Sequence, residues 1–501
     1  MTFIGEPDAV EEAAFRAIKK AAATIDMSRH RGEHPRLGAT DVCPFVPVSG
    51  ATMEDCVAIA KRLAKRVGDD LGIAVYLYEA AATRPERKSL ADIRKGEYEA
   101  LPEKLKDPAF APDFGPARFN ARSGATVIGA REFLIAYNVN LNTRDKRLAG
   151  AIAGTIREAG RSKKGPDGTT TNIPGRFKEC RAVGWYIEEF GRAQVSINLT
   201  NYKVTPLHEV FDAACEEAAK LGVRVTGSEL VGLIPREALL AAGDHYLAKQ
   251  GKTSGVPERE RVHTAVLSLG LAELAAFDPS LKVIEYRYAG RPSGLVAMTV
   301  RDFADELSSN SPAPGGGSVA ALCGALSASL VAMVAALTWS KAGMEAARPA
   351  MKAAGVEAQA LKDWFLGAVD RDTDAFNAVL AATRLPKKTA EEIAARAGAI
   401  ECASQGAAKV PLDVLEATIR ALELSLQAAK EGNPNSVSDA GVAGAAALAA
   451  AEGAALNVRI NAPSLTDRSV ADEYLARQAG ALSRARDLAE KVRRAVDHVL
   501  R

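Results

Sequence analysis

The rhythm of apolar and polar positions changes once along this chain, between Tyr288 and Met298. Before that point helical and alternating runs interleave. Phe15, Ile18, Ala22 and Ile25 recur at helical spacing behind Pro7, a residue suited to a first helical position. "VCPFVPV" and "IAVYLYEAA" read as strands, and "TVIGAREFLIAYNVNL" ends in the alternating Ile135, Tyr137, Val139 and Leu141. "VGWYIEEFGRAQVSINLTNY" predicts a hairpin around Glu-Phe-Gly-Arg. "HEVFDAACEEAAKLG" predicts an amphipathic helix closed by glycine, and "VRVTGSELVGLIP" returns to strand. "RSKKGPDGTTTNIPGRF" carries no apolar rhythm and reads as a mobile loop between two sub-domains.

After Thr299 the alternation stops. Long Ala/Leu/Val-rich helical segments follow, broken at "NSPAPGGGS", "RLPKKTAEE" and "KEGNPNSVSD". The fold class expected is therefore an α+β N-terminal half, made of two α/β sub-domains, followed by an all-α helical bundle. The spans are 1–140, 141–288, a linker at 289–298, and 299–501. No solenoid-type repeat is visible.

Composition narrows the function classes. A net charge of +2 gives no field to draw nucleic acid or an anionic membrane. Six scattered cysteines without a CxxC pair argue against a disulfide framework or a zinc site, and for reduced thiols in the cytoplasm. "MTFIGEPDAVEEAAF" has no apolar core of a signal peptide. "SVAALCGALSASLVAMVAAL" is long enough to span a bilayer, but its Ala, Ser and Gly content, without flanking aromatics or a basic cluster, predicts a buried core helix.

Three stretches carry candidate chemistry. In "RHRGEHPRLGATD" His30 and His34 stand four apart, as in a helical zinc pair. Gly32 lies between them and Pro35 disfavours helix at His34, so the pair does not share a helix face and no metal is expected. Either histidine could serve as an acid/base near neutral pH, with Glu33, Arg36 and Asp41 close enough in sequence to tune His34. In "PAPGGGSVAAL" Ser318 suits a helix N-cap, and the glycines suit either a tight turn with close helix crossing or backbone amides presented to a ligand. In "DRDTDAF" helix geometry separates three acids. Phe365, Ala368, Val369, Asp372, Ala375, Phe376 and Val379 form one stripe, whereas Asp370 and Asp374 fall on the other side. A carboxylate among apolar neighbours has a raised pKa and can carry protons; the plain alternative is a partnered core carboxylate.

"MSRHRGEHPRLGATDVCPFVPV" resembles the hallmark segment of glutamate formimidoyltransferases, and the likeness continues through "GEYEALPEKL", "APDFGPARF" and "GSELVGLIP". "SPAPGGGSVAAL", "DRDTDAFNAV", "RLPKKT" and "GNPNSVSDAGVA…LNVRIN" resemble formimidoyltetrahydrofolate cyclodeaminases. Together they resemble the bifunctional formimidoyltransferase-cyclodeaminase family over nearly the whole chain.

That resemblance implies transfer of a formimino group from formiminoglutamate to tetrahydrofolate, polyglutamylated in the cell, and then closure to 5,10-methenyltetrahydrofolate with loss of ammonia. It implies His34 as the transferase acid/base and Asp372 as the cyclodeaminase carboxylate. It implies folate contacts at Gly115, Arg118, Gly124, Arg176, Gly184 and Gly315, Gly316, Gly317 and Ser318, against a plainer reading of the first group as surface loops. Asn138 and Asn140 are weaker candidates, and Asp439 reads as a helix cap that lines the pocket. A homo-oligomer, a ring of dimers, is also implied. The family's upstream Val-Pro-Asn-Phe-Ser-Glu-Gly strand has no match here, and a misplaced start is the expectation, which intact mass would test. Two alternatives stand: an active helical half alone, as cyclodeaminase or methenyltetrahydrofolate cyclohydrolase, or a non-catalytic folate-binding scaffold.

Overall fold

Pro7 opens α1 (Pro7–Thr24), whose Ala14, Phe15 and Ile18 are buried against α2 (Met53–Leu71). The Thr52 hydroxyl and the Asp55 carboxylate cap α2 reciprocally, and Gly72 ends it in the left-handed region at φ 61°. These helices pack on a parallel sheet of β1 (Val42–Phe45), β2 (Ala74–Glu79) and β3 (Ala125–Ala130) in the order β1-β3-β2. Every residue of β3 is buried, as its continuous apolar run requires of a central parallel strand. This computed structural model describes residues 2–31, 35–164, 170–289 and 294–501.

The second sheet is antiparallel, in the order β7-β8-β4-β9, from β4 (Ile135–Leu141), β7 (Cys180–Ile187), β8 (Arg192–Leu199) and β9 (Val225–Val231). The predicted hairpin is β7–β8, with Gly191 at φ 61° in its turn. Helices α3 (Lys146–Ile156) and α4 (Leu207–Lys220) cover one face. The stretch expected to be a loop instead pairs as a two-stranded ribbon, β5 (Arg161–Lys164) with β6 (Thr170–Ile173); its 165–169 tip lies outside the described residues. Ladder hydrogen bonds form it without an apolar face, so periodicity gives no warning.

The second half is built on five long helices: α5 (Gly316–Ser340), α6 (Arg348–Thr383), α7 (Ala390–Glu431), α8 (Val437–Asn461) and α9 (Arg468–Leu500). Small residues bring them close. The Phe365 ring occupies the space where a Cβ on Gly324 would be, and Gly444 faces Val492 in the same way. α5, apolar enough for a membrane span, packs against α6, α7 and α8 and contributes Ala320, Ala321 and Ala325 to the core. By internal packing the chain forms two compact units: Met1–Ala238 with Gly270–Tyr288, and Leu239–Leu269 with Ala289–Arg501. Residues 239–269, grouped by sequence rhythm with the strands before them, pack with the helical unit. Of the expected linker, 290–293 lie outside the described residues, but Leu295 is buried in the bundle core and its N–H donates to Asp370 Oδ1 at 2.7 Å.

Candidate active sites

In the helical unit the chemistry gathers where α5 begins. Gly315, extended at φ −136° and ψ −156°, is the N-cap. Ser318 is therefore not the cap expected of it. It is the third residue inside the helix and fully buried, and its hydroxyl turns to α6, donating to the Val369 carbonyl at 2.9 Å and lying 3.3 Å from both Asp372 Oδ2 and Thr373 Oγ1. Asp372 is half-buried on the predicted stripe, with Phe365, Ala368 and Val369 buried and Asp374 exposed. Its carboxylate rests on Gly317: a Cβ there would lie 2.1 Å from Oδ1. Glycine at 317 makes room for the acid.

Two influences act on this carboxyl. Burial pushes its pKa up; the Ser318 hydroxyl and backbone N–H pull it down, and burial dominates. The first-turn amides of α5 have no intrahelical acceptor and favour negative charge beside them. The result is an oriented carboxyl, raised by burial, at the N-terminal turn of α5. A residue not singled out from sequence joins it: Asn457 of α8 has Nδ2 3.5 Å from where a Cβ on Gly316 would sit. Its only signal was its place in the "LNVRIN" block.

The neighbouring acids have other duties. Asp370 accepts the Leu295 N–H and is a structural anchor. Asp439 is not the cap of α8, which is Ser436, but lies in its first turn. The preceding Asn433 N–H bonds Thr338 at the far end of α5, whereas Asn457 neighbours its start. Eighteen residues separate Asp439 from Asn457 along α8, roughly 27 Å at the helical rise. Asp439 therefore does not line the pocket of Asp372.

In the α+β unit His34, with Gly32 and Glu33, lies outside the described residues. Its flanks are firmly held. Arg36 pairs with Glu97 at 3.1 Å and Glu99 at 2.7 Å and donates to the His30 carbonyl at 3.0 Å. Asp41 accepts the Leu37 N–H at 2.8 Å and pairs with Arg94. Arg36 and Asp41, expected to tune His34, thus brace the loop that carries it. His30 is exposed.

The glycines selected as folate contacts have close packing to explain them. Gly124, at φ 65°, bridges to Gly38 and abuts the Leu37 carbonyl, which among the described residues puts it beside the C-terminal flank of the histidine loop. Gly115, at φ 77°, abuts the Ile73 carbonyl, and Gly184 lets β7 lie on Gly150 of α3. Arg118 is exposed, and Arg176 is exposed and paired with Glu216.

The second sheet carries a polar face that sequence reasoning only touched. Asn138 and Asn140 share it. Asn138 donates to Glu229 at 3.1 Å, Asn140 donates to Glu273 at 2.6 Å, and Gln194 donates to Asn140 at 2.7 Å while accepting from Trp185 Nε1 at 3.0 Å. Asn140 and Gln194 are wholly buried. The available signal was polar residues alternating along β4 and β8 where one solvated face would suffice.

Three family models match in sequence order: "Formiminotransferase domain, N-terminal subdomain" over residues 1–131, "Formiminotransferase domain" over 136–289 and "Formiminotransferase-cyclodeaminase" over 299–479. The mouse formimidoyltransferase-cyclodeaminase is 44% identical over 93% of this chain and 85% of its own length. The chain belongs to the formimidoyltransferase-cyclodeaminase family. Each half also has single-function relatives. The glutamate formimidoyltransferase of Streptococcus pyogenes is 44% identical over 49% of this chain and 78% of its own. The methenyltetrahydrofolate cyclohydrolase of Methylorubrum extorquens is 40% identical over 39% and 93%. In family terms the histidine loop falls in the transferase half, and the Gly315–Ser318 and Asp372 cluster in the cyclodeaminase half.

Proposed function

We propose that this chain is a folate-dependent one-carbon enzyme of histidine degradation that acts twice on one carrier. It moves the formimino group from N-formimino-L-glutamate to N5 of tetrahydrofolate. It then closes the ring to 5,10-methenyltetrahydrofolate and releases ammonia. The first step needs a proton taken from the incoming nitrogen and one given to the departing glutamate nitrogen, and His34 is our choice for that shuttle. In the second, N10 attacks the formimino carbon. Asp372 takes the proton that N10 loses and returns it to the nitrogen that leaves.

The observation that carries the second assignment is the carboxylate seated on Gly317 and held by Ser318 at the start of α5. A raised carboxyl gives up its proton more readily at neutral pH than an amine does, yet holds it more tightly than a solvated aspartate. Gly315, Gly316 and Gly317 then offer backbone amides to the substrate. Gly115, Arg118, Gly124, Arg176 and Gly184 remain our folate contacts in the transferase half. The substrate is taken to be polyglutamylated, the enzyme cytoplasmic and homo-oligomeric, with dimers built into a ring; a shared tail that tethers the intermediate raises its local concentration at the second site.

The test is a two-signal assay on formiminoglutamate plus tetrahydrofolate, following ammonia and methenyltetrahydrofolate together. Equal amounts of both products support the reading. Hydrolysis of methenyltetrahydrofolate without ammonia release from the formimino donor would instead make the helical half a cyclohydrolase, the activity named for its bacterial relative.

A further inference from the structure

The stripe that carries Asp372 does not stop at the start of α5. α6 runs eleven residues beyond Asp372, to Thr383, before the turn into α7. α7 begins correspondingly early: its Glu401 is level with the start of α9, where it accepts the Thr466 and Asp467 N–H groups, so residues 390–400 extend past that point. These two extensions pair as a helical arm. The Arg396 guanidinium joins them by donating twice to the Thr383 carbonyl, at 3.1 and 2.9 Å. Residues 384–391 at its tip are all exposed.

Along α6 the arm presents an ordered series. Asp372 comes first, then the half-buried Phe376 and Val379, and then, in the turn that follows the helix end at Thr383, the cations Arg384, Lys387 and Lys388. Arg384 lies twelve residues past Asp372, about 18 Å at the helical rise. Among the described residues none of the three cations has an ion-pair partner, and they stand together at one exposed tip. The acids that follow are turned to the helix start: Glu392 accepts the Lys388 and Thr389 N–H groups and Glu391 bonds to Thr389, so neither forms an ion pair with the three cations.

Resting on the ring-closure reading of Asp372, we propose that this arm is the substrate track: Phe376 and Val379 support the aryl portion of the folate, and Arg384, Lys387 and Lys388 bind its glutamyl carboxylates. A folate has the same order, a nitrogen-rich bicycle, an aromatic ring and an anionic end, over a comparable span. Charge-assisted pairing at an exposed tip favours productive binding without touching the reacting atoms.

The test compares KM for ammonia release from 5-formiminotetrahydrofolate and from its des-glutamyl counterpart, 5-formiminotetrahydropteroate, using the full-length enzyme. The native enzyme should favour the folate by about five- to tenfold in KM. That advantage should collapse in the triple variant Arg384→Gln, Lys387→Gln, Lys388→Gln, and in native enzyme at about 1 M salt. It should persist in Lys387→Arg, Lys388→Arg, which keeps the charge. If the triple variant retains the native KM ratio, the track is wrong. Failure of the Asp372 assignment is read separately, as an unchanged kcat in Asp372→Asn on both substrates.

Discussion

Among the acids of "DRDTDAF", a 3.6-residue period is enough to choose Asp372, because only one of the three falls among Phe365, Ala368 and Val369. The same period cannot reveal what holds it. Its partners Gly317 and Ser318 lie more than fifty residues away, as does the Leu295 that occupies Asp370. Two consequences follow from a carboxyl raised by burial. Ring closure needs the ionised form, so its acid limb should lie above the ordinary aspartate value of about 3.9, and a pH profile of kcat for ring closure reads it. The folded state also binds this proton more tightly than the unfolded state does. Asp372 therefore loses stability for the protein as pH rises through that window, and opposes folding at neutral pH. Asp372→Asn should raise Tm by a few degrees at pH 7, with the gain shrinking toward acid; an equal or lower Tm at pH 7 contradicts the sign.

Elements were legible wherever burial imposed a rhythm. β3 and β4 were readable for that reason, and β5–β6 were not: β6 is exposed at Thr170, Thr171 and Asn172 and has no buried face to impose a rhythm. The start of α5 was misread by three residues, since Ser318 looks like a cap and the extended backbone of Gly315 does the work. Substituting Gly317→Ala tests that local geometry. Its Cβ would collide with Asp372 and must displace it, so ring closure should fall at least about tenfold at nearly native thermal stability. Another element carries its own compensation. Pro411 within α7 has no N–H for the Ala407 carbonyl, and Asn461 at the end of α8 supplies one from Nδ2 at 2.8 Å. Asn461→Ala should cost about 1 kcal/mol in chemical denaturation of the helical unit. No change in midpoint would mean that water serves that carbonyl equally well.

At the scale of the whole molecule, the two halves were distinguishable as a change from mixed to purely helical rhythm, but the packing boundary was not. Residues 239–269 join the helical unit through contacts that no local pattern encodes. The two proton-handling groups sit in separately packed units, Asp372 in the bundle and the histidine loop in the α+β part. Their losses should therefore separate. His34→Ala should abolish formation of 5-formiminotetrahydrofolate from formiminoglutamate while still closing the pre-made compound at the native rate. Loss of both activities would show that the sites depend on one another.

The ring-closing carboxylate is tested most directly by single-turnover ammonia release from pre-made 5-formiminotetrahydrofolate, which bypasses the transferase. Asp372→Asn should slow it by about 10²–10⁴-fold. A variant that releases ammonia at the native rate would contradict the account.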